Sequence, residues 1–179
     1  KMNNFQKIYT KTLIKNNVHL LKFDKQDGPL FTKTNLLLIK PNLYHIKIQK
    51  YLNQLKKTLY LTSMIAEKKG IIYSPKKWNA GQISNKTLNK IPNLIILFDN
   101  FTNLNGILKE INNAHIITIC ITNKEHLLPS ITFPITINTE NSMSKNLLKS
   151  FYKEALKHGL SKQIYKFSNK KFPRLDSNQ

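Results

Sequence analysis

The chain has 179 residues, enough for one domain of ordinary size, and apolar residues make up 40% of it. Its unbroken apolar runs reach only four or five residues, against the about 20 that a membrane-spanning helix needs, so no span is expected. With 29 basic and 9 acidic residues the formal net charge is +20, which calls for a polyanionic partner: nucleic acid first, an anionic membrane surface second. All the bases but Arg174 are lysines, mobile point charges that suit phosphate neutralisation better than the base reading done by arginine's planar fork. An AT-rich genome would produce the same lysine excess, since the 28 lysines are accompanied by 22 asparagines and 22 isoleucines. Cys120 is the single cysteine, which excludes a disulfide framework and a thiolate metal cluster.

In chain order, Phe5 to Leu21 has loosely helical apolar spacing through Ile8, Leu13, Ile14, Val18 and Leu21. The first 23 residues contain no acid, as transit peptides do, but also no arginine. DKQDGP, from Asp24 to Pro29, is a loop by its Gly-Pro and its charges. Asn35 to Lys40 reads as a short buried strand that stops before Pro41. Ile46 to Lys69 is the clearest helix: Ile48, Tyr51, Leu52, Leu55, Leu59 and Thr62 form one stripe. Lys68 and Lys69 favour its last turn, and Gly70 is expected to close it in a left-handed conformation.

Ile71 to Tyr73 is a strand, followed by a polar loop that contains Trp78. The run from Asn93 to Asp99 has the continuous apolarity of a strand buried on both faces of a parallel sheet. Leu104 to Ala114 is a helix, Ile116 to Thr122 a strand, and Phe133 to Asn138 a shorter strand interrupted by Pro134. Ser142 to His158 is an amphipathic helix with Asn141 as its N-cap. Residues from Leu160 onward read as an irregular basic extension. The expected architecture is α/β with a mostly parallel sheet, divided into an N-terminal helix and loop (1–34), an α/β domain (35–159) and a basic C-terminal extension (160–179).

A sheet of this kind often binds nucleotides, but the five glycines include no GxGxxG or GxxxxGK[ST] pattern. The five histidines are scattered without HExxH spacing, and no serine lies in a GxSxG elbow. Asp99 is the strongest catalytic candidate by position, yet reads more simply as a turn or capping aspartate after its strand. No catalytic residue, metal, cofactor or small-molecule substrate is therefore expected.

Two stretches suit RNA. Lys76, Lys77, Trp78 and Asn79 join cations to an aromatic ring, with Asn85 at the end of the same loop. The lysines would neutralise phosphate; Trp78 either stacks on a base or ribose or anchors the loop to the sheet. The second stretch interleaves Lys162, Lys166, Lys170, Lys171 and Arg174 with Tyr165, Phe167 and Phe172, as in a segment that orders on RNA or a neighbouring protein.

The order of these blocks resembles the ribosomal small-subunit protein two family. Val18-His19-Leu20 is similar to the family's VHFGH stretch, and Ile39 to Ile46 with the helix after it to its RNGIHIIDL block. Lys77 to Asn85 (KWNAGQISN) resembles the RWLGGTLTN signature, keeping the tryptophan, the second glycine and the final asparagine. Pro92 to Asp99 resembles PDLVIVLD, and Ile116 to Asn123 with Thr132 to Asn138 follows the family's last two strands. The blocks span most of residues 5 to 158. The resemblance implies a flavodoxin-like three-layer sandwich, here reduced: the helix before the tryptophan motif has shrunk to Ser74 to Lys77, and the family's long helical hairpin to Lys86 to Ile91. It further implies a divergent organellar member, mitochondrial with a plastid as the alternative. Such a protein would bind small-subunit rRNA and neighbouring ribosomal proteins and perform no chemistry. A free-standing RNA-binding factor and a degenerate nucleotide-binding enzyme are the rival readings.

Overall fold

The computed structural model describes residues 4–18, 20–22, 36–40, 43–85, 90–98, 101–122, 131–137 and 141–171. The elements are α1 (Asn4–Lys15), β1 (Leu20–Lys22), β2 (Leu36–Lys40), β3 (Leu43–Ile46), α2 (Ile48–Glu67), β4 (Ile72–Tyr73), β5 (Leu94–Phe98), α3 (Leu104–Asn113), β6 (Ile117–Thr122), β7 (Phe133–Thr136) and α4 (Ser142–Lys171). Strands β4, β5, β6 and β7 lie in that order in one parallel sheet. The protein is thus an α/β domain of three layers, as its alternation of strands and helices implies.

Side chains on a strand alternate between faces, and β5 uses both. Leu94 and Ile96 join α1, α2 and α4 on one side, through Leu13, Leu52, Leu55, Leu148 and Tyr152. Ile95 and Leu97 join α3 on the other, through Leu104, Ile107, Leu108 and Ile111. All four β5 residues are essentially inaccessible, which explains why the run carries no polar position. Strand β6 follows the same rule, with Ile119 and Ile121 facing α2 and α4, and Cys120 buried toward α3. At the sheet edge, β7 tolerates Pro134, whose carbonyl accepts from the Gln54 side chain of α2.

Between β4 and β5 no helix covers the α3 side among the described residues. The loop that follows β4 does so instead: Ile83 is buried there, with Trp78 and Tyr73 packed beside it. On this side the loop, packed through Ile83 and Trp78, therefore covers the sheet beside α3.

Four expectations need correction. First, residues 36–40 and 43–46 do not extend the parallel sheet; β1, β3 and β2 form a separate antiparallel sheet, with an irregularity between Leu38 and Lys40. Leu43 to Ile46 is accordingly strand, and the long helix begins at Ile48. Second, α1 stops at Lys15, and the chain turns so that Val18 is buried and Leu20 to Lys22 pairs with β3.

Third, Lys69 and not Gly70 takes the left-handed position, at φ 62°. The Lys69 N–H donates to Ala66 O at 3.2 Å and the Gly70 N–H to Ile65 O at 2.8 Å, a Schellman closure. Helices α1 and α3 end the same way, on Asn17 and His115, each at φ 53°. There Val18 donates to Leu13 O and Ile116 to Ile111 O, and both return into the core.

Fourth, the extension is not irregular from Leu160: α4 continues through His158 and Gly159 to Lys171. Gly159 does not break the helix because it seats α4 on α2. A Cβ there would overlap the Ser63 carbonyl and come within 2.7 Å of the Ala66 Cβ. Thr58 opposite Tyr152 and Ser63 opposite His158 show that the two helices run parallel. The last twelve residues of α4 consequently rise roughly 18 Å beyond this contact. Asn141 caps α4 as expected, accepting from Met143 N at 3.0 Å. Its amide and the Ser144 hydroxyl both donate to Asn16 O, joining the start of α4 to the end of α1.

Candidate nucleic-acid interface

The loop after β4 is built around one carboxylate. Glu110, on α3, accepts at Oε2 from the Trp78 indole N–H (3.1 Å) and the Gly81 N–H (3.2 Å). At Oε1 it accepts from the N–H groups of Ile83 (2.6 Å) and Ser84 (3.0 Å) and from the Ser84 hydroxyl (3.1 Å). Gly81 has φ 78°, a left-handed conformation that lets the turn aim successive N–H groups at one point. The turn is closed by Gln82 N to Asn79 O (3.1 Å) and Asn85 N to Gly81 O (2.8 Å), and Gln82 also donates to the Tyr73 hydroxyl.

Partial burial of Glu110 works to raise its pKa. The hydrogen bonds from Ser84, Ile83 and Trp78 outweigh it and hold the carboxyl below the ordinary glutamate value. The group is thus a permanent anion at neutral pH, fully engaged with the loop. Sequence reasoning passed over it. The available signal was its position: a carboxylate in the last turn of a helix opposes the dipole and needs a partner of its own.

Around this tether Lys76, Lys77, Asn79 and Asn85 are exposed. Trp78 is half-buried against the α3-side cluster with its only donor bonded to Glu110, so of its two readings the geometry supports the anchor. Asn85 lies over Gly81, where an added Cβ would meet its Nδ2 at 2.5 Å. Two further exposed lysines, Lys90 and Lys109, were not singled out in the sequence; Lys109 is the neighbour of Glu110 on α3. Another cation, Lys149 of α4, stands 5.2 Å from the centroid of the Phe98 ring.

The structure does not unite the loop with the C-terminal cations. The loop packs on the α3 side of the sheet and α4 on the opposite side. Lys162 is exposed on α4, Lys166, Lys170 and Lys171 lie in its final turns, and Arg174 is outside the described residues. Lys162 therefore lies on the opposite side of the sheet from the loop.

Among catalytic candidates, Asp99 also lies outside the described residues. Ser63 Oγ approaches His158 Nδ1 at 3.2 Å, but Ser63 sits within α2, where backbone N–H groups are committed to the helix ladder and cannot form an oxyanion hole. Among the described residues no group of three or more His, Cys, Asp or Glu is arranged to hold a metal ion, and no helix is long and apolar enough to cross a membrane. No known family model matches the chain, and no curated protein matches it.

Proposed function

We propose that this chain is a structural, RNA-binding protein of the small subunit of an organellar ribosome, a divergent member of the ribosomal small-subunit protein two family, working in the mitochondrion. It binds small-subunit rRNA and adjoining ribosomal proteins and holds their geometry without chemistry. The observation that carries this reading is the Glu110-tethered loop. The segment that resembles the family's tryptophan signature is fixed from beneath by its own hydrogen bonds, leaving Lys76, Lys77, Asn79 and Asn85 exposed. A pre-ordered cationic loop binds phosphate with less ordering entropy than a free one. The net charge of +20 supports the same reading.

Sedimentation of an organelle lysate through a gradient tests it, tracking the chain against small-subunit rRNA. Near-stoichiometric co-migration is expected; a chain that stays at the top at low and moderate salt overturns the ribosomal assignment in favour of a free RNA-binding factor. For the loop itself, the double variant Lys76→Ala, Lys77→Ala should bind small-subunit rRNA more weakly. Its log-affinity against log-salt slope should be shallower by roughly 0.7 to 0.9 for each phosphate that is no longer neutralised. An unchanged slope would remove the loop from the interface.

A further inference from the structure

A groove of about 710 Å³ runs between α2 and α4. Its floor is apolar, with Leu52, Leu55, Leu59, Phe151 and Ala155. Tyr60, on its rim, is 69% exposed although it is a large ring beside that floor. The groove runs along α2 from Leu52 to Glu67, a rise of roughly 22 Å. That is the length of about four helical turns.

Its charge differs from that of the rest of the described surface. Glu67, Glu110 and Glu154 are the three acids among the described residues, and two of them, Glu67 and Glu154, line this groove together with Lys56 and Lys162. The wall is thus balanced in sign within a chain of net charge +20. A nucleic-acid backbone would meet two carboxylates here and offers nothing apolar for the floor. A second copy of this chain would bring another +20 to the contact.

We infer that this groove is the docking site for an amphipathic helix of a neighbouring protein. The occupant is about four turns long, places apolar residues at i, i+3 or i+4, and i+7 on the floor, and carries a Lys or Arg that reaches the exposed carboxylate of Glu154. The protein accordingly has two faces with different partners: RNA on the α3 side, protein between α2 and α4. The inference rests on the proposed function for where the partner is met, in the assembled ribosomal subunit.

The test is hydroxyl-radical footprinting read by mass spectrometry. It compares the free chain with the small subunit isolated by sedimentation, before and after ribonuclease digestion. A photo-crosslinker at the exposed ring, Tyr60→p-benzoylphenylalanine, identifies the occupant without disturbing the core. Tyr60 and Met64 should be oxidised in the free chain and protected in the particle, with protection surviving ribonuclease. The crosslink should join a peptide of another protein with apolar residues at helical spacing. Protection that disappears on RNA digestion, a crosslink to this chain's own sequence, or Tyr60 fully oxidised in the particle would each overturn the inference while leaving the ribosomal assignment intact. A chain absent from the particle would instead overturn the assignment, and this inference with it.

Discussion

Trp78 and Glu110, 32 residues apart, are joined by a 3.1 Å hydrogen bond from the indole N–H to the carboxylate, and this bond fixes the β4–β5 loop to α3. The same carboxylate accepts from Gly81, Ile83 and Ser84. Glu110→Ala leaves those donors without their acceptor, and the loss should be about 2 kcal/mol in urea unfolding at pH 7. Glu110→Gln keeps the shape but presents an NH₂ group to some of the donors, so it should fall between alanine and wild type. Wild-type stability from this site is expected to be fully present above the unfolded glutamate pKa of about 4.3 and to fade as pH drops through the lower folded value. The alanine and glutamine variants should lose that component of acid sensitivity; if all three proteins share one pH profile, the carboxylate does not hold the loop.

Gly159 offers a cleaner steric test. Alanine is a better helix former than glycine by about 1 kcal/mol, so an exposed helix would gain from the change. Here the new methyl would overlap the Ser63 carbonyl. Gly159→Ala should therefore destabilise the protein by about 1–3 kcal/mol. A rise in melting temperature would mean that α2 and α4 are not packed at this point.

Tyr51 points the other way. Its hydroxyl is buried with no hydrogen-bond partner among the described residues, and burial followed by the neighbouring Tyr152 pushes its pKa well up. Tyr152, by contrast, shares a 2.9 Å hydrogen bond with Thr58. Tyr51→Phe removes an unsatisfied group and should raise stability by about 1 kcal/mol, whereas Tyr152→Phe should lower it by a similar amount. Equal losses in both variants would show that the Tyr51 hydroxyl has a partner after all.

Lys69 adopts φ 62°, which disfavours a side chain. Lys69→Gly should stabilise the protein by about 1 kcal/mol by relieving that strain, measured as a shift in the urea midpoint at constant slope. No gain would mean that the interactions Lys69 makes in the folded chain offset the strain.

The elements legible in the sequence were those whose pattern repeats. Leu94 to Phe98 declared a two-sided strand by its unbroken apolarity, and the stripe through Tyr51, Leu52 and Leu55 declared α2. What was missed lies where the chain changes direction. Asn17, Lys69 and His115 close three helices without glycine: no glycine marks the end of α1, which is shorter than its spacing implies, and at α2 the adjacent Gly70 draws the left-handed position one residue too far. Gly159 lies just past the expected end of the helix at His158, and a glycine that permits close helix packing looks the same in sequence as one that ends a helix. In the candidate site, the exposed lysines and asparagines could be read from the loop's composition. Glu110 could not be paired with Trp78 before the fold was known, since nothing local links positions so far apart.

The parallel pairing of α2 with α4 bears on synthesis. Thr58 meets Tyr152 across 94 residues, so the larger apolar cluster cannot close until nearly the whole domain has left the ribosome that makes it. The α3-side cluster draws on residues between Tyr73 and Ile131, which emerge earlier and are closer together in the chain. A nascent chain therefore has one face of its sheet available to bury while the other waits for α4. During that interval the apolar stripe of α2 is exposed to chaperones and to other nascent chains.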